Sequence, residues 1–471
     1  MKKFKTLLLA LCSLAILLCT GCESKKPDLP QISGWENSDA DSTSNSVGTD
    51  TGESENSESS ESSESAESSG SDNSTADNTP IKNEPSYLEF FREKAVHTLN
   101  IEIENAAWKA ICDSPKEKEY HRANITIDGK TVSECGIKTH GNSTLNMAVE
   151  YETTSFPFKI KFDKYTDESF MGLDELVLCN NVIDVSYARQ YAGYEAYRAI
   201  GKDAPLCTFF NVYINGEPVG LYTGVEEIDS SFLKRVFGSK KHNLYKADEM
   251  ATLTPDMGSW TVTQKKGDDT SRSDLKQLIK TLDEMPLGEK GNIEDILDVD
   301  SALAYLAVGA VIHHCDGYAG YSAHNYCLYF DDGVFHMIPW DMDLCFYQTG
   351  WGFRPSEGSK MDIKNGLTDT AKLSERPLVE KLLAVDEYYA IYLEYCKTTA
   401  EWLKEFNANG VDELYTLLDE SIKNDPRKKY SSFKNEFDSN YHYGFAGYIK
   451  ERVEYLGKRI PEIYKEKGLN F

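Results

Sequence analysis

Between residues 23 and 84 almost no large apolar side chain occurs, and that gap confines any packed core to the residues after it. Ser, Glu, Asp, Asn and Thr dominate the stretch, with repeats such as Glu58-Ser59-Ser60-Glu61-Ser62-Ser63-Glu64. Such a segment has nothing to offset the entropy lost on ordering. Its like charges and small polar residues predict a swollen, flexible tether. From about Tyr87 to Phe471 the composition turns globular. That length exceeds a typical domain and predicts one large unit or two fused lobes.

Ahead of the tether, Met1-Lys2-Lys3-Phe4-Lys5 is basic and Leu7 to Leu18 is apolar. The run is shorter than the roughly 20 residues of a spanning helix and has the layout of a signal peptide. Cys19-Thr20-Gly21-Cys22 follows it and resembles a bacterial lipobox, with Cys22 as the lipid-bearing residue. The fit is imperfect, because Leu18 lies one place early; the alternative is an ordinary cleaved signal. The expected organisation is a lipoprotein signal at 1–22, a linker at 23–84 and a folded domain at 85–471. The domain would be exported and held on the outer face of a membrane through Cys22.

The formal net charge is -27, of which a net of about -12 falls in the tether. A surface this acidic repels nucleic acid and would suit a basic protein partner, although acidity also simply confers solubility. Three of the 11 cysteines lie in the leader. The remaining eight form no CxxC pair and no metal-ligand spacing, and read as small buried hydrophobes.

The first half of the folded region reads as strands and turns. Thr98–Ile103, Ala123–Ile127 and Phe156–Phe162 alternate apolar and polar residues. Asp128-Gly129 and Asn215-Gly216 are hairpin signals, the second lengthened by Glu217-Pro218. Helices are expected over Asn105–Cys112, Tyr187–Ile200 and Ser230–Phe237, and a buried apolar one over Ser301–Cys315. A strand pair, Tyr326–Phe330 and Val334–Ile338, follows around Asp331-Asp332-Gly333, and helices return from about Arg376. A strand-rich first lobe and a helix-rich second holding a small hairpin make an α+β, bilobal outline.

Chemistry concentrates in three segments: Asp316, His324-Asn325-Tyr326 and Ile338-Pro339-Trp340-Asp341-Met342-Asp343. The hairpin brings Asn325 and Asp341 together, and the preceding helix delivers Asp316. Carboxylates with an amide suit a hard cation that also grips phosphate. Phosphoryl transfer needs such a cation, a lysine on the phosphates and a carboxylate to orient the attacking hydroxyl. Asp316 would be that carboxylate, Asn325 and Asp341 metal ligands, and Asp343 an addition to the shell. The bland alternative is that Asp316 caps its turn and Trp340-Asp341 closes a loop.

Gly141-Asn142-Ser143-Thr144, Ser155 to Tyr165, Gly172 to Leu176, Asn211 to Gly216, Gly220-Leu221-Tyr222, Val225-Glu226 and Asn243 to Lys246 resemble motifs of the CotH family, in family order. With Asp316, His324-Asn325-Tyr326 and Pro339 to Asp343 the resemblance covers about Gly136 to Phe346. It implies an atypical, minimal protein-kinase-like bilobal fold that binds ATP with Mg²⁺ or Mn²⁺ and phosphorylates Ser/Thr-type hydroxyls of surface or spore-coat proteins. Carried over by position, Lys159 resembles the phosphate-contacting lysine, Asp316 the catalytic aspartate, and Asn325 and Asp341 the metal pair. Glu226 and Lys246 match motif positions in the nucleotide cleft. Lys159 and Lys161 alternate on one strand, so either would also serve as a solvated face; Glu226 would also serve as a structural ion-pair partner. Gly141-Asn142-Ser143 would cradle phosphate or form a plain turn. No Gly-rich loop, His-Arg-Asp or Asp-Phe-Gly string of ordinary kinases is present, and Tyr347 follows Phe346 where the family often has Gly. Two other classes stand beside the kinase. One is a catalytically idle surface scaffold, favoured by the scarcity of ATP outside cells; the other is a calcium-stabilised adhesin.

Overall fold

The computed structural model describes residues 85–350, 354–355, 357–369 and 371–471. Cys22, the leader and the tether lie outside the described residues.

Seven strands close into a barrel: β1 (Val96–Ile103), β2 (His121–Ile127), β3 (Lys130–Thr139), β4 (Phe158–Lys161), β5 (Glu175–Cys179), β6 (Cys207–Ile214) and β7 (Glu217–Glu226). The order is β1-β2-β3-β4-β5-β7-β6, with β1 parallel to β6 and the other pairs antiparallel. Period-two alternation sends Leu99, Ile101, Ile125, Ile137, Phe158, Ile160, Leu176, Leu178, Phe210 and Val212 inward as one buried cluster. Gly224 faces the same interior: a Cβ there would lie 2.2 Å from the Phe210 ring, so the glycine makes room for it. Between β6 and β7 the chain turns in two residues, Asn215 and Gly216, both with φ in the left-handed region (51° and 85°). Ile214 pairs directly with Glu217, so Glu217-Pro218 belongs to the strand rather than to a longer loop. The extra residue of the motif is absorbed farther on as a bulge, between Val212 and Tyr213.

The outer face of β5, β6 and β7 is also apolar. Val177, Phe209, Leu221 and Val225 join a second, larger cluster with helix α4 (Arg189–Ala199) and the helical remainder of the chain; α1 (Tyr87–Arg92), α2 (Asn105–Asp113) and α3 (Ser143–Glu150) precede it. At the centre of that cluster runs α7 (Val299–Ile312), buried on nearly every side, with α5 (Ser230–Phe237) and α6 (Ser273–Glu284) before it. Asp298 caps α7 by accepting from the Ser301 amide. The helix ends at Ile312, three residues short of the expected end, because His313 adopts a left-handed conformation with φ 54°. Asp316 therefore sits in the turns after the helix.

The expected hairpin is present as β10 (Tyr326–Asp331) and β11 (Val334–Pro339), but it is not isolated. It joins β8 (Leu244–Ala247) and β9 (Val262–Lys266) in a four-stranded sheet of order β11-β10-β8-β9. The helices α8 (Asp386–Glu405), α9 (Val411–Asn424), α10 (Tyr430–Glu436) and α11 (Phe445–Lys467) complete the α+β unit. Arg189, at the start of α4, is fully buried and ion-paired to Asp184 at 2.7 Å and Glu436 at 2.8 Å, a structural role. The eight cysteines of the described residues carry free thiols, six of them buried, which agrees with their reading as small hydrophobes. Among the described residues no helix is long and apolar enough to cross a membrane.

Candidate functional site

The two ends of the β10–β11 hairpin meet through the pairing of Tyr326 with Pro339, and the Trp340 amide donates to the Asn325 carbonyl at 3.3 Å. Asn325 and Asp341 both hold left-handed backbone, with φ of 56° and 52°. For residues other than glycine this costs energy, and at a strand end it serves to re-aim a side chain. Neighbouring groups hold the conformation in place. Tyr305 Oη donates to the Asn325 carbonyl at 3.2 Å, the Asp341 amide donates to Tyr194 Oη at 3.0 Å, and the Met342 amide donates to Gln190 Oε1 at 2.6 Å. Tyr194 and Gln190 come from α4, which approaches this loop closely because residue 193 is glycine. A Cβ there would lie 2.6 Å from Met342 Cβ.

Asp316 reaches the same place from the turns after α7. Asn325 Nδ2 donates to its Oδ2 at 2.9 Å, Ser322 Oγ donates to Oδ1, and His324 Nδ1 lies 3.9 Å from Oδ2. Asp341 and Asp343 are hydrogen-bonded to each other. Burial pushes both carboxyls up; Asp316 adds to the rise in both, and Lys246 partly opposes it at Asp341. Carboxylates that repel one another in a dehydrated place hold a proton unless a cation takes its position. Among the described residues no three His, Cys, Asp or Glu side chains close around a single point. The donors present, two carboxylates and the amide oxygen of Asn325, are hard oxygens that fit Mg²⁺ or Mn²⁺ if phosphate or water completes the shell.

The lysine side of the site lies on the outer face of the barrel. Lys159, which by resemblance is the phosphate-contacting lysine, does not lie on a solvated face, the alternative its strand pattern allows: it is buried, with a side-chain exposure of 8%. Its Nζ lies between Glu175 Oε2, at 3.0 Å, and Glu227 Oε2. Burial opposes its charge, but the two carboxylates more than compensate and lift its pKa far above the ordinary lysine value. Burial likewise pushes Glu227 up, and Lys159 and then Lys246 pull it below the usual carboxylate range. Lys161 is half-buried and shares Glu175 at 2.8 Å.

Glu226 points the other way. It accepts from Tyr87 Oη at 2.8 Å, from the Leu206 amide at 3.1 Å and from Arg235 Nη2 at 2.6 Å, tying β7 to α1 and α5. Strand alternation explains the split. Lys159 pairs with Val177, Val177 with Val225, and Glu227 is two residues beyond Val225, so these share the outer face. Glu226 pairs with Leu176, whose side chain is inside. Glu227 was missed in the sequence, although that alternation, applied across the three strands, is the signal that finds it.

Lys246 joins the two halves. It lies on β8 opposite Cys327 of β10, with Nζ 4.8 Å from the centre of the Trp340 ring. Its charge acts on Glu227 on one side and on Asp341 and His324 on the other. The structure thus brings Lys159, Lys246, Asp316, Asn325, Asp341 and Asp343 into one neighbourhood and leaves Glu226 behind it.

A cation-suited oxygen cluster faced by lysines is the arrangement of a kinase-like site, and the chain belongs to the CotH kinase protein family, whose model matches residues 137–456. Among curated proteins it resembles the inner spore coat protein H of Bacillus subtilis (strain 168). The two are 26% identical over 309 residues, covering 62% of this chain and 80% of that protein. A solved Shewanella oneidensis MR-1 toxin–antitoxin complex of HipA, HipB and operator DNA aligns over 63% of this chain and 61% of that chain, at 11% identity. Its TM-score of 0.29 is too low to carry an argument about fold.

Proposed function

We propose that the chain is an ATP- and divalent-metal-dependent protein kinase that phosphorylates Ser/Thr-type hydroxyls of surface or spore-coat proteins. The barrel would act as the first lobe of a bilobal, minimal kinase fold and the helical part as the second. The observation that carries the reading is the position of Lys246, whose charge reaches both the Lys159–Glu227 pair and the Asp341 cluster. Phosphate-facing cations and metal-suited oxygens thereby share one cleft. Asn325 and Asp341, with Asp343 behind them, would hold Mg²⁺ or Mn²⁺, which neutralises the charge of the nucleotide tail. Asp316, held by Ser322 and Asn325, would orient the acceptor hydroxyl and receive its proton as the new O–P bond forms and the bond from the γ-phosphorus to ADP breaks. Lys246 would serve nucleotide binding by direct contact, and Lys159, held between Glu175 and Glu227, by its position beside the cleft. The Glu226 position would contribute by bracing β7, and Glu227 would hold the ion pair with Lys159.

The name of the Bacillus relative supports a surface or coat location; Cys22, in its lipobox-like setting, would be the membrane anchor; the acidity of the chain supports a basic protein substrate rather than nucleic acid. Thermal stability of the parent, Asp341→Ala and Asp316→Ala, with Mg-ATP and with calcium alone, tests the reading. Mg-ATP should stabilise the parent and Asp316→Ala but not Asp341→Ala. Stabilisation of the parent by calcium alone, with no effect of ATP, would replace the kinase with a calcium-stabilised adhesin. No response to either would leave a catalytically idle scaffold.

A further inference from the structure

The charges of the cleft do not balance around Lys159. Lys159 and Lys161 are already neutralised by Glu175, Glu227 and Asp163, two cations among three carboxylates. Beside them stand Lys118, Lys138 and Lys246, half-buried, and the exposed Lys265. Among the described residues none of these four has a carboxylate within ion-pairing distance, in a chain whose net charge is -27.

Their placement is specific. Lys138 on β3 is the direct cross-strand partner of Lys159 on β4, so two ammonium-bearing side chains leave the same face side by side. Like charges directly opposite one another weaken a sheet. Lys138 Nζ rests 4.5 Å from the centre of the Tyr120 ring. His140, two residues along the same face, is pushed well below the ordinary histidine value by burial, then by Lys159, Lys246, Lys118 and Lys138. It is thus neutral and adds no competing charge. Lys118 is lowered by burial and then by Lys246, and Lys138 by burial and then by Lys159 and Lys265. The chain next turns through Gly141, with φ 73°, into α3. Asn142 occupies the cap position of that helix, but its side chain makes no cap; Lys118 Nζ donates to its Oδ1 at 2.7 Å instead. Lysines without a carboxylate partner, partly dehydrated and close enough to lower one another's proton affinity, beside amides without a side-chain cap, make a seat for a multiply charged anion.

We propose that Lys118 and Lys138, with the Gly141–Thr144 turn and Lys246, hold the terminal phosphates of the nucleotide, and that Lys159 is a positioning residue locked between Glu175 and Glu227. This rests on the kinase reading and names the groups that grip the triphosphate within it. The seat recognises the polyphosphate tail and is indifferent to the base.

Calorimetric titration of the full chain with Mg-ATP, adenosine and inorganic tripolyphosphate, for the parent, Lys118→Ala, Lys138→Ala and the double variant, tests it. Each single change should weaken Mg-ATP and tripolyphosphate on the order of tenfold, and the double change more, with adenosine binding unaltered. The parent should also show a stronger loss of affinity with added salt than the double variant. Without ligand, the variants should melt at or above the parent temperature, because a like-charge contact is relieved; a merely structural lysine would lower it. ATP affinity within twofold of the parent in both single variants overturns the proposal. A parent that binds tripolyphosphate but not Mg-ATP keeps the seat and sinks the kinase reading beneath it; a parent that binds neither sinks both.

Discussion

Replacing Lys159 with Met should destabilise the folded protein by about 3–5 kcal/mol near neutral pH, the cost of breaking a buried ion pair from one side. Lys159, Glu175 and Glu227 have side-chain exposures of 8%, 14% and 6%, so little water reaches any of them. The methionine keeps the stem of the lysine and its packing, and isolates the loss of charge. Glu175 retains Lys161, while Glu227 loses its direct partner and keeps only the more distant Lys246. The pH dependence gives a second check. In the parent both glutamates are held below the ordinary glutamate value, so they stabilise the fold above that pH and the contribution fades as pH falls through their folded values. Without Lys159, burial is opposed less and both take up protons more readily. The gap between parent and variant should therefore be widest near pH 7 and narrow toward pH 4. Urea unfolding at several pH values measures it, and a double variant with Glu227→Gln should recover on the order of 2 kcal/mol of coupling. A variant within about 1 kcal/mol of the parent at pH 7 would show that Lys159 is solvated after all.

Glu226 and Glu227 should separate cleanly. Glu226→Gln removes a fully buried carboxylate from the partly buried Arg235 and should cost about 2–4 kcal/mol of stability without changing Mg-ATP affinity, whereas Glu227→Gln should weaken Mg-ATP binding more than it weakens the fold, as paired unfolding and calorimetry would record. Gly193→Ala pushes a methyl against Met342 and should cost about 1–3 kcal/mol, together with a loss of Mg²⁺-dependent nucleotide binding, because the loop carrying Asp341 must shift. His313 is fully buried and held down to about 4, first by burial and then by Arg452. Between pH 6.5 and 4 the unfolded chain binds a proton that the folded one refuses, so stability should fall by roughly 3 kcal/mol as pH drops through that window. His313→Asn, which tolerates the left-handed backbone, should flatten that slope in acid-unfolding curves.

Much of this site is legible in the sequence because local rules act on it. A hairpin joins its ends whatever surrounds it, so Asn325 and Asp341 could be placed together, and an apolar helix pointed to Asp316. What escaped depended on long-range partners. Closure of the barrel runs through parallel pairing of β1 with β6, more than a hundred residues apart, and alternation within a strand does not name its neighbour. The four-residue β8 is too short for periodicity to reveal, so the hairpin looked isolated. The burial of Lys159 follows from Glu175 and Glu227 arriving from other segments. A lysine between apolar residues on a strand looks the same whether its outer face meets water or two carboxylates. The helix stop at His313 carried no Gly or Pro, and its left-handed turn is stabilised by tertiary contacts such as the one from Nδ1 to the Tyr347 carbonyl at 2.8 Å.

The most direct test of the central claim is transfer of labelled γ-phosphate from Mg-ATP to a Ser-containing basic protein by the purified parent and by Asp316→Asn. The parent should label the acceptor, and the variant should bind Mg-ATP with parental affinity yet transfer slower by a factor on the order of a hundred or more, as expected on loss of an orienting base. Equal labelling by parent and variant, or none by a parent that binds Mg-ATP, would contradict the assignment of Asp316 and of phosphoryl transfer to this cleft.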